Sequence, residues 1–164
     1  MWPPAACGAL LPSACRRCVL SSKRNWLRWV PREIPLRAGI DGRAELARSE
    51  HAIPLCADCS CRTPADLDRH DGKYDSVNIR LDKAGARTEA LALAAVAKRR
   101  GLRIMVGGTI GTSPGIAPAL LVAQLAEIVD LDGPLHLAGD RVPGLRYDGS
   151  TICPPDPNLW GGAG

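Results

Sequence analysis

Three short apolar runs between residues 74 and 134 constrain the fold more strongly than any other feature of the sequence. They are Ser76–Arg80, Arg103–Gly108 and Ile128–Asp132. Each run has the length of a buried strand, and the segments between them, Arg87–Arg100 and Ser113–Ala126, have the composition of helices. Strands that alternate with helices at this spacing predict βαβ units, and therefore an α/β fold with parallel strands.

Both helical segments carry local signals at their ends. We expect the first to begin near Thr88, which would cap it, and to stop at Gly101 after a basic last turn. The second opens with Ser113 and Pro114, a capping residue followed by proline at the first helical position. Further on, the turn dipeptide Asp148-Gly149 predicts a hairpin over Leu145–Ile152.

Polar residues and glycines fall where each predicted strand ends. Arg80 ends the first run, Gly107 and Gly108 end the second, and Asp130 and Asp132 end the third. In parallel α/β folds, ligands bind at the C-terminal ends of the strands. The sequence therefore predicts a site that is built from several strand ends.

Several stretches of the sequence also resemble a known family. The segments VNIRLDKAG, IMVGGTIGTSPGIAPALL and VDLDGPL are similar to the last strands of dipeptide epimerases of the L-Ala-D/L-Glu epimerase type, in the enolase superfamily. The resemblance is strong from about Pro54 to Gly161 and weaker before it. It implies the C-terminal barrel of the mandelate racemase/muconate lactonizing enzymes, which is a TIM-type (β/α) barrel.

The chain is too short for a closed barrel of this type. It has 164 residues, whereas a (β/α)₈ barrel takes roughly 250. With further strands near 26–30 and 54–58, we count about five of the eight barrel strands. The chain thus looks truncated: we predict a partial barrel over 26–152, a poorly defined segment over 1–25 and a Pro/Gly-rich tail over 153–164. The open edges of such an arc predict self-association.

The resemblance implies a Mg²⁺ ion held by three carboxylates on successive strand ends. Glu33 lies in a segment similar to the family's Glu-Gln-Pro, and Asp58 lies in one similar to its Ala-Asp-Glu-Ser, so both are predicted metal ligands. The third ligand would precede Met1. Equally open are a surface charge at Glu33 and a capping or loop role for Asp58.

The resemblance also implies two lysines that remove and return the proton alpha to a carboxylate, through an enediolate intermediate. One of them falls at Arg80, which is therefore the candidate catalytic residue, and the other would lie on a strand that precedes this chain. An arginine stays protonated at neutral pH and cannot act as a base. Lys83 is three residues further on, and we expect it to leave the strand on a different side. Epimerisation of amino acids or dipeptides should therefore be impaired or absent.

Two further pairs of residues are candidates for substrate binding. The resemblance implies that Asp130 and Asp132 hold the substrate's ammonium group, although one of them could instead cap the turn that follows. Thr112 and Ser113 end the glycine-rich loop GGTIGTSPG, where a substrate carboxylate could bind at a helix N-terminus. The alternative is that these glycines only permit a tight turn.

Composition excludes several other classes of protein and leaves one rival open. The net charge is +4, with 21 basic and 17 acidic residues interspersed, which does not suggest a nucleic-acid surface. No apolar run approaches the roughly 20 residues of a membrane helix, and we expect a cytoplasmic protein with reduced cysteines. One rival is a zinc module built on the pairs Cys15/Cys18 and Cys56/Cys59. The other is a non-catalytic remnant or binding protein that keeps the site at Asp130 and Asp132.

Overall fold

The computed structural model describes residues 54–69 and 72–160. A four-stranded sheet is formed by β1 (Cys56–Ala57), β2 (Ser76–Ile79), β3 (Arg103–Gly107) and β4 (Ile128–Asp130). The strands lie in the order β1-β2-β3-β4, and every neighbouring pair is parallel. The predicted α/β fold with parallel strands is therefore confirmed. The strand expected near 26–30, and the segment 1–25, lie outside the described residues.

Five helices connect or follow these strands in the described part of the chain. They are α1 (Asp66–Arg69), α2 (Leu81–Ala84), α3 (Arg87–Arg99), α4 (Ser113–Ile116) and α5 (Ala119–Ala123). Short 3₁₀ turns cover Gly133–His136 and Pro157–Trp160, and a two-stranded hairpin joins β5 (Tyr147–Asp148) to β6 (Thr151–Ile152). The crossover helix α3 spans 13 residues, or roughly 20 Å at 1.5 Å per residue.

The core lies between one face of the sheet and the crossover helix. Helix α3 buries Ala90, Leu93, Ala94 and Ala97, a spacing that places all four on one stripe. They join the alternate strand residues Val77, Ile79, Ile104, Val106 and Val129 in one hydrophobic cluster. Full burial of a leucine side chain stabilises a fold by roughly 1.5–3 kcal/mol, so this stripe fixes α3 on the sheet.

The opposite face of the sheet has a different character. Because side chains alternate along a strand, it carries Ser76, Asn78, Met105, Gly107 and Asp130. The first four of these residues are buried although the set is largely polar or small. This polar face leads directly to the strand ends at which the sequence predicts a site.

The observed ends of the first predicted helix show what local signals can miss. Helix α3 begins at Arg87, and Ala86 is its N-cap without a side-chain hydrogen bond, so the predicted cap at Thr88 is wrong. The stop at Gly101 is confirmed, since this residue has a φ of +69° and is followed by β3. The buried alanine and leucine stripe begins at Ala90, within the first turn of the helix.

The second predicted helix is in fact two short ones. Helix α4 ends at Ile116 and α5 starts at Ala119, so the single helix expected over Ser113–Ala126 is wrong. Pro118 lacks the N–H that a continuous helix would donate to the carbonyl of Pro114. The hairpin is confirmed, but its turn is Gly149-Ser150 rather than Asp148-Gly149. Among the described residues, no helix combines the length and hydrophobicity needed to cross a bilayer.

Candidate functional site

The C-terminal ends of the strands bring three of the predicted site positions to one level. Ile79 pairs with Val106, and Gly107 pairs with Asp130. Arg80 follows Ile79 and is therefore level with Gly107 and Asp130, on the polar face. Neighbouring strands are about 4.8 Å apart, so Gly107 separates Arg80 from Asp130 by the width of one strand.

Two groups of side chains stand at this edge of the sheet. Asp58 follows β1 and is level with Asn78 because Ala57 pairs with Val77. We call the first group the Asp58 cluster, and it consists of Asp58, Cys59, Asn78, Arg80 and Lys83. We call the second group the Asp130 cluster, and it consists of Asp130, Asp132, His136 and Tyr147.

Hydrogen-bond donors surround the carboxylate of Asp58. Oδ1 of Asp58 accepts from Nζ of Lys83 at 3.2 Å and from Nδ2 of Asn78 at 3.3 Å. Oδ2 lies 3.9 Å from Nη1 of Arg80, and the thiol of Cys59 donates to it at 3.6 Å. The side chain of Asp58 is only 9% exposed. Its charge is thus compensated by two cations and not by water.

Arg80 is held as a cation on both sides. Its guanidinium donates to Asp82 with Nη2–Oδ2 at 2.9 Å and Nε–Oδ1 at 3.3 Å, in addition to its contact with Asp58. Burial alone would lower the pKa of Arg80, but the hydrogen bonds and charge of Asp82 and the charge of Asp58 raise that pKa above its ordinary value. Arg80 is therefore a positioning and charge-compensating residue, and it has no means of accepting a proton.

Lys83 is the residue of this site that the sequence reasoning missed. We expected it to leave the strand on a different side, yet its Nζ reaches both Asp58 and, at 2.9 Å, Sγ of Cys59. The reason is local, because the backbone N–H of Lys83 donates to the carbonyl of Arg80 at 3.1 Å. This turn at the start of α2 carries Lys83 back over the strand ends. No signal in the sequence marks this four-residue helix, so the sequence alone did not indicate the contact.

The described residues around Asp58 do not fit the Mg²⁺ ion that the resemblance implies. A magnesium site needs several oxygen lone pairs directed at one point, whereas the neighbours of Asp58 present N–H donors and positive charge. Nowhere in 54–69 and 72–160 do three His, Cys, Asp or Glu side chains group closely enough to hold a metal ion. Glu33, the other predicted ligand, lies outside the described residues.

The Asp130 cluster has the opposite electrostatic character. Asp130 ends β4, and burial, together with the neighbouring charge of Asp132, raises the pKa of its carboxyl group. Asp132 is about half exposed, and its Oδ2 lies 3.3 Å from Nε2 of His136. The hydroxyl of Tyr147 donates to the carbonyl of Leu131 at 2.8 Å, and burial followed by the charge of Asp132 raises the pKa of Tyr147 to about 12.

Thr112 and Ser113 are adjacent in the sequence but differ in exposure and in hydrogen bonding. Thr112 is the exposed N-cap of α4. Ser113 is fully buried: Asp140 accepts hydrogen bonds from its backbone N–H at 3.1 Å and from its hydroxyl, and that hydroxyl accepts the backbone N–H of Leu145 at 2.7 Å. The Ser113 side chain therefore ties this loop to residues 140–145, and Thr112 is the member of the pair that is open to a ligand.

Gly107 is needed at the level between the two clusters. A Cβ at this position would lie 2.7 Å from Oδ1 of Asn78, closer than real side chains approach. This oxygen is buried and accepts no hydrogen bond from the described residues, while the amide nitrogen of Asn78 donates to Asp58. The glycine thus lets Asn78 turn toward Asp58.

Only one of the two cysteine pairs of the zinc alternative lies among the described residues. Cys15 and Cys18 lie outside them. Cys56 is buried, whereas Cys59 is exposed and contacts Asp58 and Lys83. The zinc site stays a prediction.

Curated proteins with similar sequences share one class of chemistry. The chain is 46% identical over 131 residues to the N-acetyl-D-glutamate racemase of a Pseudoalteromonas species, which covers 80% of this chain and 41% of that protein. It is 44% identical over 115 residues to the L-Ala-D/L-Glu epimerase of Escherichia coli K12, which covers 70% of this chain and 35% of the epimerase. No protein-family model matches the chain.

Solved structures agree with the curated relatives. An enolase family member from Agrobacterium tumefaciens with homology to dipeptide epimerases, solved with bound sodium and L-Ala-L-Glu, is 54% identical with a TM-score of 0.71. It covers 77% of this chain, which in turn covers 38% of it. The dipeptide epimerase of Cytophaga hutchinsonii, complexed with Mg and D-Ala-L-Val, is 30% identical with a TM-score of 0.59, over 64% of this chain and 30% of its own.

These similarities confirm the predicted resemblance and the partial barrel. The related proteins are racemases and epimerases with barrels of the mandelate racemase/muconate lactonizing type. The chain spans about two fifths, or less, of the length of each of them. The four described parallel strands are thus part of such a barrel.

Proposed function

From the premise that this chain is homologous to part of the dipeptide epimerases of the enolase superfamily, we propose that it binds an amino acid or dipeptide but is impaired in epimerisation. The observation that carries this proposal is the contrast between the two clusters. The Asp130 cluster offers two adjacent carboxylates to an ammonium group, whereas Asp58 is already neutralised by Lys83 and Arg80.

Ammonium binding follows from the charges of Asp130 and Asp132. Two carboxylates held side by side raise each other's cost of ionisation, and the raised pKa of Asp130 expresses that cost together with its burial. A bound ammonium group would relieve the repulsion and form charge-assisted hydrogen bonds. Thr112, exposed at the start of α4, is the proposed contact for the polar remainder of the ligand.

Impaired proton transfer follows from Arg80. Removal of an α-proton needs a group that is deprotonated when it attacks, and the contacts with Asp82 and Asp58 hold Arg80 in its protonated form. Loss of one general base typically costs on the order of 10²–10⁴ in rate. The resemblance implies that Mg²⁺, when bound, stabilises the enediolate, but the residues at Asp58 do not fit that ion, and we assign no step to it.

Two further expectations belong to the same proposal. Within the described sheet, β1 and β4 are the outer strands, and we propose that the unit of 26–152 self-associates through such edges. Size-exclusion chromatography with light scattering should show a mass that rises with concentration, and a constant monomer mass would contradict this. We also propose a cytoplasmic location, where cysteines are kept reduced.

Calorimetric titration with L-Ala-L-Glu tests the binding proposal. We expect binding that Asp130→Asn and Asp132→Asn each weaken by roughly tenfold or more, because each removes a charge that faces the ammonium group. Asp148→Asn, at an exposed carboxylate in the hairpin, is the matched control and should bind like the wild type.

The identity of the ligand can be tested in the same way. N-acetyl-D-glutamate carries an amide in place of the ammonium group, so we expect it to bind more weakly and to be insensitive to Asp132→Asn. Equal binding of the two ligands, or binding of L-Ala-L-Glu that survives both substitutions, would contradict the ammonium site. In that case the N-acyl amino acid becomes the better candidate, in keeping with the name of the Pseudoalteromonas relative.

A further inference from the structure

The first half of the glycine-rich loop GGTIGTSPG is held against the Asp130 cluster. The backbone N–H of Gly108, just after β3, donates to the carbonyl of Asp130 at 2.9 Å. The carbonyl oxygen of Thr109 then approaches Gly133 so closely that a Cβ on Gly133 would lie 2.3 Å from it. The loop therefore runs beside residues 130–133 before it reaches the exposed residue Thr112.

The second half of the loop is held by Asp140. Both carboxylate oxygens of Asp140 lie 3.1 Å from the backbone nitrogen of Ser113, and Oδ2 also accepts the Ser113 hydroxyl. Ser113 is fully buried, so water has no access to replace these hydrogen bonds. The N–H group at which the sequence suggested that a substrate carboxylate could bind is therefore already occupied.

Asp140 accepts these hydrogen bonds as an ionised group. The hydrogen bond from the Ser113 hydroxyl, together with those from the backbone N–H groups of Ser113 and Arg141, lowers the pKa of Asp140. An ionised acceptor makes stronger hydrogen bonds than a neutral one. The attachment of the loop to Asp140 is therefore firm at neutral pH.

Asp140 also lies in the neighbourhood of the proposed ammonium site. After burial, the charges of Asp132 and of Asp140 raise the pKa of Tyr147, so both carboxylates lie close to its ring. Asp140 thus connects the loop that carries Thr112 to the surroundings of the Asp130 cluster.

We infer that Asp140 is a positioning residue of the proposed binding site: through Ser113 it fixes the glycine-rich loop and so holds Thr112 in place for the ligand. This inference rests on the proposed function, because Thr112 is the proposed ligand contact. A loop that is ordered before the ligand arrives loses less conformational freedom on binding, and the affinity is higher for that reason.

Calorimetric titration of the full chain with L-Ala-L-Glu tests the inference through a cycle of single and double variants. We expect Asp140→Ala to weaken binding by about two- to tenfold, the range of one or two hydrogen bonds. If Asp140 acts through Thr112, the same substitution in a Thr112→Ala background should change the affinity by less than about twofold.

Asp140→Asn separates positioning from charge. It removes the same negative charge but keeps an oxygen that can accept from Ser113, so it should retain most of the wild-type affinity. Asp66→Ala is the matched control, because Asp66 accepts the backbone N–H groups of Arg62 and Thr63 and the hydroxyl of Thr63, at 2.9 to 3.0 Å. It removes the same pattern of hydrogen bonds next to β1, the strand farthest from β4, and should bind like the wild type.

Three results would overturn the inference. The first is a folded Asp140→Ala variant with wild-type affinity. The second is a loss of affinity that is equal with and without Thr112, and the third is Asp140→Asn binding as weakly as Asp140→Ala. Either of the last two would mean that the charge of Asp140 acts on the ligand directly.

NMR relaxation of the Thr112 amide decides the question without a ligand. Asp140→Ala should lower its order parameter from about 0.85 to below about 0.6, and Asp66→Ala should leave it unchanged. An unchanged value in Asp140→Ala would contradict the inference, whereas a wild type that binds no dipeptide would contradict only the proposed function. If Asp140→Ala fails to fold, Asp140→Glu, which keeps the charge but displaces the carboxylate, replaces it in both measurements with the same expected losses.

Discussion

The Asp58 and Asp130 clusters lie at the same edge of one sheet but differ in their balance of charge. Asp58 is a single carboxylate that faces two cations, whereas Asp130 is a partly buried carboxylate beside a second one. The first cluster is complete in itself, because its charge is neutralised within the protein. A bound cation would stabilise the second cluster, because its charge would relieve the repulsion between the two carboxylates. The difference teaches that a position at a strand end does not by itself make a ligand site, since the balance of charge around it decides.

Removal of the carboxylate from each cluster should give the largest contrast. Asp58→Ala leaves Lys83 and Arg80 without their shared counter-charge and should reduce the free energy of unfolding by about 2–3 kcal/mol, somewhat below the cost of breaking a fully buried pair. Asp130→Asn removes a buried charge and a repulsion, and should be neutral or stabilising. Urea denaturation of both variants measures the difference, and a similar loss of stability in the two would break the comparison.

Substitution at residues 112 and 113 should separate structure from binding beside the Asp130 cluster. Ser113→Ala leaves the buried N–H of Leu145 and the carboxylate of Asp140 without the hydroxyl, at a cost of about 2 kcal/mol. Thr112→Ala should change stability by no more than about 0.5 kcal/mol, because the side chain is exposed. In dipeptide titrations only Thr112→Ala should lower affinity without a loss of stability. A Ser113→Ala variant as stable as the wild type would show that the hydroxyl of Ser113 does not hold this loop.

Gly107 can be used to disturb the Asp58 cluster from the side. Gly107→Ala places a methyl group against the amide of Asn78, which must turn away from Asp58, and we expect a loss of about 1 kcal/mol. Gly139→Ala is the matched control, since nothing lies within 4 Å of its added Cβ. Equal melting temperatures for the two variants would mean that Asn78 is not held at Asp58.

Acid should change the stability contributed by Asp82, the partner of Arg80, and by Asp130 in opposite directions. Both effects should be smaller than those of the substitutions above. The hydrogen bonds from Arg80, which outweigh the effect of burial, lower the pKa of Asp82. Its contribution to stability is therefore complete above the unfolded value of about 3.9 and is lost as the pH falls through the lower folded pKa. The pKa of Asp130 is raised in the folded protein, so its ionised carboxylate lowers the stability of the fold. This loss of stability is complete above the folded pKa and disappears as the pH falls from there to about 3.9.

Stability curves from neutral to acid pH measure this contrast. Asp130→Asn should remove the relief that the wild type shows as the pH approaches about 3.9. Asp82→Asn should reduce the loss seen below that value. Curves of the two variants that run parallel to the wild type would contradict the assignment of these shifts.

The sequence predicted the parts of this molecule that repeat regularly along the chain. The runs at Ser76, Arg103 and Ile128 predicted the parallel strands, because buried strands of a parallel sheet appear in a sequence as short, mostly apolar runs. The positions of Arg80, Gly107 and Asp130 at one edge follow from the same parallel order. The resemblance to dipeptide epimerases added the chemistry expected there.

Contacts between distant residues could not be predicted in the same way. Asp58 and Lys83 are 25 positions apart, and Ser113 and Asp140 are 27 positions apart. No local sequence pattern indicates either contact, because each contact depends on how a loop returns to the strand ends. Glu33 and the cysteine pair at Cys15 and Cys18 lie outside the described residues and stay predictions.

Exchange of the α-proton in D₂O tests the central claim most directly. The full chain would be incubated with L-Ala-L-Glu and Mg²⁺, and the substrate would be followed by NMR. We predict no exchange above the buffer control, because Arg80 cannot take up the proton and Lys83 neutralises Asp58. Exchange that is abolished both by EDTA and by Asp58→Asn would contradict this account and would show a working, metal-dependent site.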